Sequence, residues 1–163
     1  MSAVCRVLAL VLLLSGGPAP AALFDRQVQD LAVFRQQVSR HSLRLVVVFE
    51  LRDCPQCRYL HDQVFGQPAV EAAWQPYYRS VRVLLDDPRL LRTPDGQQCS
   101  ALHWARSLGI SGAPAFVFFD VQGRLETRYQ GVLAADDLIR LGQYVQQGRY
   151  EDQPFRPEKR HLH

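Results

Sequence analysis

The sequence predicts an α/β fold in which a central mixed β-sheet carries helices on both faces. Apolar, valine-rich runs at 43–50 and 80–85 alternate with segments of helical period, which is the order of two strand–helix–strand crossover units. A further apolar run at 115–119 precedes a turn and another strand, so an antiparallel hairpin is expected to complete the sheet. Crossover units followed by a hairpin and a covering helix give a mixed sheet.

The first half of the predicted domain contains three helical segments and two strands. Apolar residues recur at helical spacing across 23–40, and the nearly continuous apolar run at 43–50 is typical of a central strand covered on both faces. A helix is predicted from Pro55 to about Phe65, and a second helical piece over 69–77. The next strand is predicted over 80–85.

The second half is divided by clear turn and cap signals. Residues 86–98 contain two prolines, a glycine and several charges, so this stretch is predicted to be a loop or insertion. Ser100 is a suitable N-cap for a helix over 101–108, which Gly109 would end.

The C-terminal third contains the hairpin and the covering helix. A turn at 120–123 is predicted to join the strand at 115–119 to an antiparallel partner over 125–129. An amphipathic helix is predicted over 134–145.

The N-terminus has the pattern of a secretory signal. Arg6 precedes a short apolar run at 7–14, and small residues at 19–22 offer a cleavage site. This run is far shorter than the roughly 20 residues that span a bilayer, so stable membrane insertion is not expected. We expect a signal peptide over 1–22, a domain over 23–148 and a polar tail over 149–163; an uncleaved anchor or a buried strand is the alternative for the first segment.

The charge balance excludes some classes of partner. The chain carries 19 basic and 16 acidic side chains, and removal of the predicted signal takes away only Arg6. The small net positive charge that remains is scattered, so neither nucleic acid nor an anionic membrane is expected as a partner.

Three cysteines remain after the predicted cleavage, and two of them form a C-x-x-C pair. Cys54 and Cys57 directly follow the strand at 43–50 and stand at a helix start, with Pro55 in the first turn. A thiolate is stabilised there by free amide groups and by the helix dipole, and residues at i and i+3 can close a short disulfide. One close pair plus the single Cys99 fits redox chemistry better than a framework of disulfides.

The residues alone leave other uses of these thiols open. Cys54, Cys57 and His61 have metal-ligand spacing on one helix face, and Cys99 with His103 forms a second pair, so a zinc or copper site is one alternative. A structural disulfide in a binding module is another, although so short a loop constrains the unfolded chain little. Cys99 itself is either a small packed hydrophobe or a regulatory, dimer-forming thiol.

The order of elements, with C-x-x-C after the first main strand and Gly112-Ala113-Pro114 before the hairpin, resembles the thioredoxin fold. The likeness covers residues 43 to 148 approximately. The sequence Cys-Pro-x-Cys-Arg-x-x-His, from Cys54 to His61, looks like that of exported thioredoxin-like proteins of the SoxW kind. A C-x-x-C pair joined to a proline at a distant strand start is much more specific than a C-x-x-C pair alone.

This resemblance implies a thiol:disulfide oxidoreductase with no cofactor other than its redox-active disulfide. Cys54 would be the exposed nucleophile and Cys57 the buried resolving thiol. Pro114 would be a cis-proline packed against them, because a fixed cis turn calls for proline. The residues implied for substrate binding are Pro55, Gln56, Ala113 and Pro114.

The resemblance also implies a location and partners. Exported relatives of this kind act in the periplasm on protein thiols and disulfides, and some are served by a membrane-bound electron donor. The sequence shows neither the dimerisation domain of dimeric isomerases nor the large helical insertion of strong oxidants. This favours a disulfide reductase over an oxidase or an isomerase.

One departure from the family pattern concerns a buried acid. The family's common carboxylate, six positions before the first cysteine, falls on Val48, which cannot move protons. Glu50 is the predicted substitute and completes the expected catalytic set with Cys54 and Cys57. The alternative is that Glu50 is an ordinary exposed carboxylate at the end of a strand.

Overall fold

The structure, a computed structural model, describes Phe24 and residues 26–158. The predicted signal peptide, 1–22, and the end of the predicted tail, 159–163, lie outside the described residues. None of the helices that are described has the length and apolarity needed to cross a membrane.

The described chain consists of alternating strands and helices. The strands are β1 (Arg44–Glu50), β2 (Tyr78–Leu84), β3 (Leu90–Arg92), β4 (Gln98–Ser100), β5 (Ala115–Phe119) and β6 (Leu125–Gln130). The α-helices are α1 (Leu31–Ser39), α2 (Pro55–Tyr59), α3 (Pro68–Trp74), α4 (Ala101–Ser107) and α5 (Ala135–Gln146). A π-helical segment (Leu60–Phe65) continues α2, and a 3₁₀ turn (Arg149–Glu151) follows α5.

The main sheet has four strands in the order β2-β1-β5-β6. The β1–β2 pairing is parallel, whereas β5 is antiparallel to both β1 and β6. The predicted mixed sheet is therefore confirmed, and so is the hairpin at its edge. Strand β1 lies inside the sheet and is buried along almost its whole length, as its continuous apolar run predicts.

Helices cover both faces of this sheet and create two apolar cores. Because side chains alternate along a strand, Val47 and Phe49 of β1 belong to the core under α1 and α4, whereas Val46 and Val48 belong to the core under α3 and α5. By the same alternation, Glu50 falls on the face of Val48. The face that carries α2, the π-helical segment and α3 is therefore the one that receives this carboxylate.

The first predicted helix is shorter than its periodicity indicates. Helix α1 begins only at Leu31, after the N-cap Asp30, whose side chain accepts a hydrogen bond from the Val33 amide at 2.9 Å. The preceding residues are extended because their carbonyls accept hydrogen bonds from other strands. The Arg26 carbonyl accepts from the Arg82 amide at 2.7 Å. The prediction of helix over 23–30 was therefore wrong for the described residues.

The stretch 86–98 is also more ordered than a loop. Strands β3 and β4 form a small antiparallel hairpin in which Leu91 pairs with Cys99. Leu91 is buried in the core under α1 and α4, and Gly96 takes a positive φ of 90° in the turn. The burial of Leu91, the glycine turn and a hydrogen bond from the Thr93 amide to the Gln97 carbonyl at 2.8 Å together give this polar stretch a regular structure.

The described part of the predicted tail, 149–158, lies against α5. Tyr144 donates a hydrogen bond from its hydroxyl to the Gln153 carbonyl at 2.6 Å, and Arg140 donates to the Arg156 carbonyl at 3.1 Å. Phe155 packs edge to face against Tyr129, with ring centroids 5.6 Å apart. These few contacts hold a mostly polar segment on the core under α3 and α5.

Candidate redox site

The site begins where β1 leaves the sheet. After three exposed residues, 51–53, Cys54 becomes the N-cap of α2 and accepts a hydrogen bond on its Sγ from the Cys57 amide at 3.1 Å. Pro55 occupies the first turn, where a missing amide proton costs nothing. Cys54 and Cys57 form a disulfide, with their Cα atoms 5.2 Å apart, within the ordinary range for such bonds.

Both cysteines are nearly inaccessible in this oxidised form. Cys54 is 5% exposed and Cys57 is 3% exposed, so the prediction of an exposed Cys54 beside a buried Cys57 was wrong as a statement of accessibility. In this form the Cys54 sulfur is bonded to Cys57 and lies over the first turn, where it accepts a hydrogen bond from the Cys57 amide. The residues between them in the chain, Pro55 and Gln56, are exposed.

The second motif lies at the start of β5. The peptide bond between Ala113 and Pro114 is cis, which confirms the predicted cis-proline. Pro114 is buried, and its carbonyl accepts a hydrogen bond from the Gly131 amide at 2.9 Å, which ties the start of β5 to the end of β6. Ala113 is half-buried, and Gly112 before it is exposed.

Glu50 is fully buried, with 0% of its surface exposed. Its Oε1 and Oε2 atoms lie 2.9 Å and 3.1 Å from His61 Nε2. On its other side, Arg82 Nε lies 2.8 Å from Oε2, close enough for an ion pair. The alternative that Glu50 is an exposed strand-end carboxylate is therefore wrong.

The two partners of Glu50 come from different elements. Arg82 lies on β2, and its Nε contacts the carboxylate without the alignment of a hydrogen bond, so the interaction is one of charge. His61 lies on the π-helical segment, one turn after Cys57, and its side chain is 22% exposed. In the sequence, His61 belongs to a metal-ligand spacing with Cys54 and Cys57 and to the Cys-Pro-x-Cys-Arg-x-x-His motif, and neither pattern predicts its contact with Glu50. In the structure, His61 contacts the buried Glu50 carboxylate.

The alternative of a metal site gains no support. Within the described residues, no three or more histidine, cysteine or acidic side chains gather in a way that could hold a metal ion. Cys54 and Cys57 are bonded to each other, and Cys99 lies in the separate β3–β4 hairpin.

Cys99 is the free thiol of the described chain. It is half-buried and packs against the core under α1 and α4. Burial, with a smaller contribution from the negative charge of Asp95, raises the pKa of this thiol. Cys99 therefore has less thiolate character than an ordinary cysteine, in contrast to what a reactive thiol needs.

Comparison with known proteins defines the class. Residues 32–146 match the family model described as the thioredoxin-like domain, and this range includes the disulfide, the cis-proline and Glu50. The chain belongs to the thioredoxin-like family. A comparison with curated protein sequences gives no significant match.

Solved structures with the same fold come from several bacteria. A thioredoxin from Thermus thermophilus has a TM-score of 0.59 at 20% identity, over 87% of this chain and 99% of that one. A thioredoxin-fold protein from Helicobacter pylori has the same TM-score of 0.59 at 12% identity, over 70% and 75% of the two chains. The C-terminal domain of Neisseria meningitidis DsbD, in its reduced form, has a TM-score of 0.51 at 18% identity, over 69% and 90%. At such identities these likenesses establish the fold.

Proposed function

We propose that this protein is a periplasmic thiol:disulfide oxidoreductase that acts as a disulfide reductase. The observation that carries the proposal is the Cys54–Cys57 disulfide at a helix start, with the exposed Pro55 and Gln56 between the two cysteines, in a thioredoxin-like fold. The fold and the disulfide are consistent with oxidoreductase chemistry. The reductase direction, the periplasmic location and the SoxW-type subclass rest on the sequence pattern.

The proposed reaction transfers two electrons to a protein disulfide. In the reduced protein the Cys54 thiolate attacks one sulfur of the substrate, and the other substrate sulfur leaves as a thiolate. The Cys57 thiolate then attacks Cys54, which releases the second substrate sulfur and forms the Cys54–Cys57 disulfide. A dithiol donor, which we place at the membrane, would return the two electrons.

The site residues have separate parts in this scheme. The Cys57 amide, which donates to Cys54 Sγ, would stabilise the Cys54 thiolate in the reduced protein. Glu50 is proposed to take the proton from Cys57 before the second attack. The residues proposed to meet the substrate chain are Pro55, Gln56, Ala113 and Pro114.

Insulin reduction with dithiothreitol as electron donor tests the activity. Cys54→Ser should abolish it, because no sulfur remains to attack the substrate. Reduced Cys57→Ser, mixed with insulin after removal of dithiothreitol, should accumulate mixed disulfides that appear as a mass increase. Cys99→Ser is the matched control and should retain full activity. Full activity in Cys54→Ser would overturn the assignment.

The direction of electron flow needs a separate measurement. The ratio of dithiol to disulfide, followed at defined glutathione ratios, gives the reduction potential of the pair. A strongly reducing value supports a reductase, whereas a strongly oxidising value rejects it. Fractionation of cells that express the full chain, compared with a chain lacking 1–22, tests export.

A further inference from the structure

His61 connects a buried carboxylate to the surface. The Glu50 side chain is 1% exposed, whereas the His61 side chain, whose Nε2 lies 2.9 Å from it, is 22% exposed. Arg82, on β2, also lies against this carboxylate, with Nε 2.8 Å from Oε2. A guanidinium holds its proton at all ordinary pH values, so Arg82 can balance charge but cannot carry a proton.

The same histidine lies on the helix face of the resolving cysteine. Cys57 and His61 are four residues apart in one continuous helical stretch, so their side chains project from the same side. Because His61 reaches down to Glu50, this side of the helix lies over the end of β1. The carboxylate is thus beneath the face that carries Cys57.

A buried base needs a route by which its proton leaves. If Glu50 takes a proton from Cys57, the carboxylate must pass that proton on for Cys57 to remain a thiolate, and it has no surface of its own in contact with water. Imidazole suits this purpose, because it takes up and releases a proton within the physiological pH range. The Phe65 ring packs edge to face against His61, with centroids 5.0 Å apart, and restricts the orientation of the imidazole.

We propose that His61 carries the proton between Glu50 and solvent when Cys57 resolves the mixed disulfide. This inference rests on the proposed function. In this scheme His61 acts on the reacting thiols only through Glu50. The thiol proton of Cys57 passes to Glu50, and Glu50 gives it to Nε2 of His61 in the Nδ1–H tautomer. The imidazolium then loses this Nε2 proton to water, which restores the same tautomer. The Cys57 thiolate attacks Cys54 with release of the substrate thiolate.

A chromogenic disulfide separates the two attacks. Reduced protein with Cys5→Ser and Cys99→Ser is mixed with dithiobis(nitrobenzoate), so that only Cys54 and Cys57 supply thiols. Attack by Cys54 releases the first thionitrobenzoate at a rate that depends on reagent concentration. Resolution by Cys57 releases the second thionitrobenzoate at a rate that is independent of reagent concentration. Because thionitrobenzoate leaves without needing a proton, the second phase reports the loss of the proton from Cys57.

His61→Gln should slow the second phase by at least about tenfold and leave the first phase nearly unchanged, because glutamine can donate to Glu50 but cannot carry a proton. In His61→Ala, added imidazole should restore the second phase in proportion to its concentration, which a purely structural defect would not show. The matched control is His103→Gln, which changes an exposed histidine on α4. Both of its phases should equal those of the parent.

The inference is overturned if the second phase of His61→Gln equals that of the parent, or if imidazole has no effect on a slowed His61→Ala. Should both variants fail to fold, partial modification of histidines with diethyl pyrocarbonate, mapped by mass spectrometry, provides the test. The second phase must then fall in proportion to modification at His61 and not at His103. A parent protein that releases both thionitrobenzoates supports the Cys54–Cys57 chemistry whichever result His61 gives.

Discussion

Arg82 lies opposite Val48 in the β1–β2 ladder, yet its guanidinium reaches Glu50, with Nε 2.8 Å from the carboxylate. Val48 and Glu50 are two residues apart and point to the same face of the sheet. The cation therefore stands beside the position where the family pattern places its acid, while the acid itself lies one pleat further along β1. The Arg82–Glu50 ion pair therefore runs diagonally between the two strands and does not join directly opposite residues.

Loss of this cation should destabilise the protein. Arg82→Met leaves the buried Glu50 carboxylate beside His61 but without this cation, and removal of one member of a buried ion pair is expected to cost about 3 kcal/mol. Urea unfolding with the disulfide intact measures the free energy of unfolding. Adding Glu50→Gln should recover part of the loss, because no uncompensated charge then remains.

A second arginine on the same strand provides the control. Arg79 is exposed on β2, and its guanidinium donates to the Gln75 and Tyr78 carbonyls. Arg79→Met should change the free energy of unfolding by less than about 1 kcal/mol. Equal losses in Arg79→Met and Arg82→Met would contradict the importance of the buried pair.

The sequence predicts most of the fold because its strong signals are local. The apolar run of β1 and the turn and hairpin of β5 and β6 each need only a few neighbouring residues to be recognised. The prediction failed where distant strands decide the conformation. Residues 26–30 have helical spacing, but the Arg82 amide engages the Arg26 carbonyl and keeps them extended. The β3–β4 hairpin likewise depends on the burial of Leu91 in a core formed by α1 and α4.

The same difference between local signals and distant contacts decides which residues of the site were predictable. The C-x-x-C pair and Pro114 were predictable, because each has a characteristic position next to a strand. Glu50 could be suggested from its nearness to Val48 in the chain. Its burial and its partners, however, depend on the register between β1 and β2 and on how the helical stretch that carries His61 packs over the sheet. His61 was visible in the sequence, yet spacing alone could not tell a metal ligand from a partner of a carboxylate.

The single thiol should be slow to react. Alkylation requires the thiolate, and burial raises the pKa of Cys99, so less thiolate is present at neutral pH than in an ordinary cysteine. In the oxidised protein, peptide-resolved mass spectrometry should show slow iodoacetamide labelling of Cys99 that accelerates as the pH rises above the ordinary thiol range. A Cys-containing peptide of the same local sequence is the reference. Labelling as fast as in this peptide at neutral pH would contradict the expectation.

The same burial bears on the alternative of a dimer-forming Cys99. On a nonreducing gel, the oxidised protein should run as a monomer, identical to Cys99→Ser, because a half-buried thiol cannot readily meet its copy. A dimer band that disappears in Cys99→Ser would favour the regulatory thiol instead.

Asp120 should make the β5–β6 turn sensitive to acid. Burial opposes ionisation of this carboxyl, but hydrogen bonds donated by the backbone and side chain of Arg124 outweigh it and lower the pKa of Asp120. A folded-state pKa below the unfolded one means that the stabilisation is complete above the ordinary aspartate range and is lost as pH falls through the folded value.

Asp120→Asn should therefore lower the free energy of unfolding by about 1 kcal/mol near neutral pH, and the difference from wild type should shrink as the pH falls below about 4. Urea unfolding at both pH values measures this. Asp152→Asn, which changes an exposed aspartate beyond α5, is the control and should have little effect at either pH. A difference that grows on acidification would contradict the sign.

Gly142 should not tolerate even a methyl group, although it lies in a helix. A Cβ at this position of α5 would lie 3.0 Å from the Trp74 ring and 3.4 Å from the Tyr78 ring. Trp74 is fully buried and donates from Nε1 to Ser80 Oγ at 3.0 Å, so its ring cannot easily move away. Gly142→Ala gains about 1 kcal/mol of helix propensity, but overpacking typically costs about 1–3 kcal/mol.

We therefore expect Gly142→Ala to lower the free energy of unfolding by about 1 kcal/mol in urea, once the propensity gain is set against the overpacking. Gly66→Ala is the matched control, because a Cβ there meets nothing within 4 Å and the backbone φ is −85°. It should be neutral or stabilise the protein by about 0.5 kcal/mol, since alanine restricts the unfolded chain. If Gly142→Ala stabilised the protein as much as Gly66→Ala, the Trp74 ring would have to be free to shift, contrary to the packing found here.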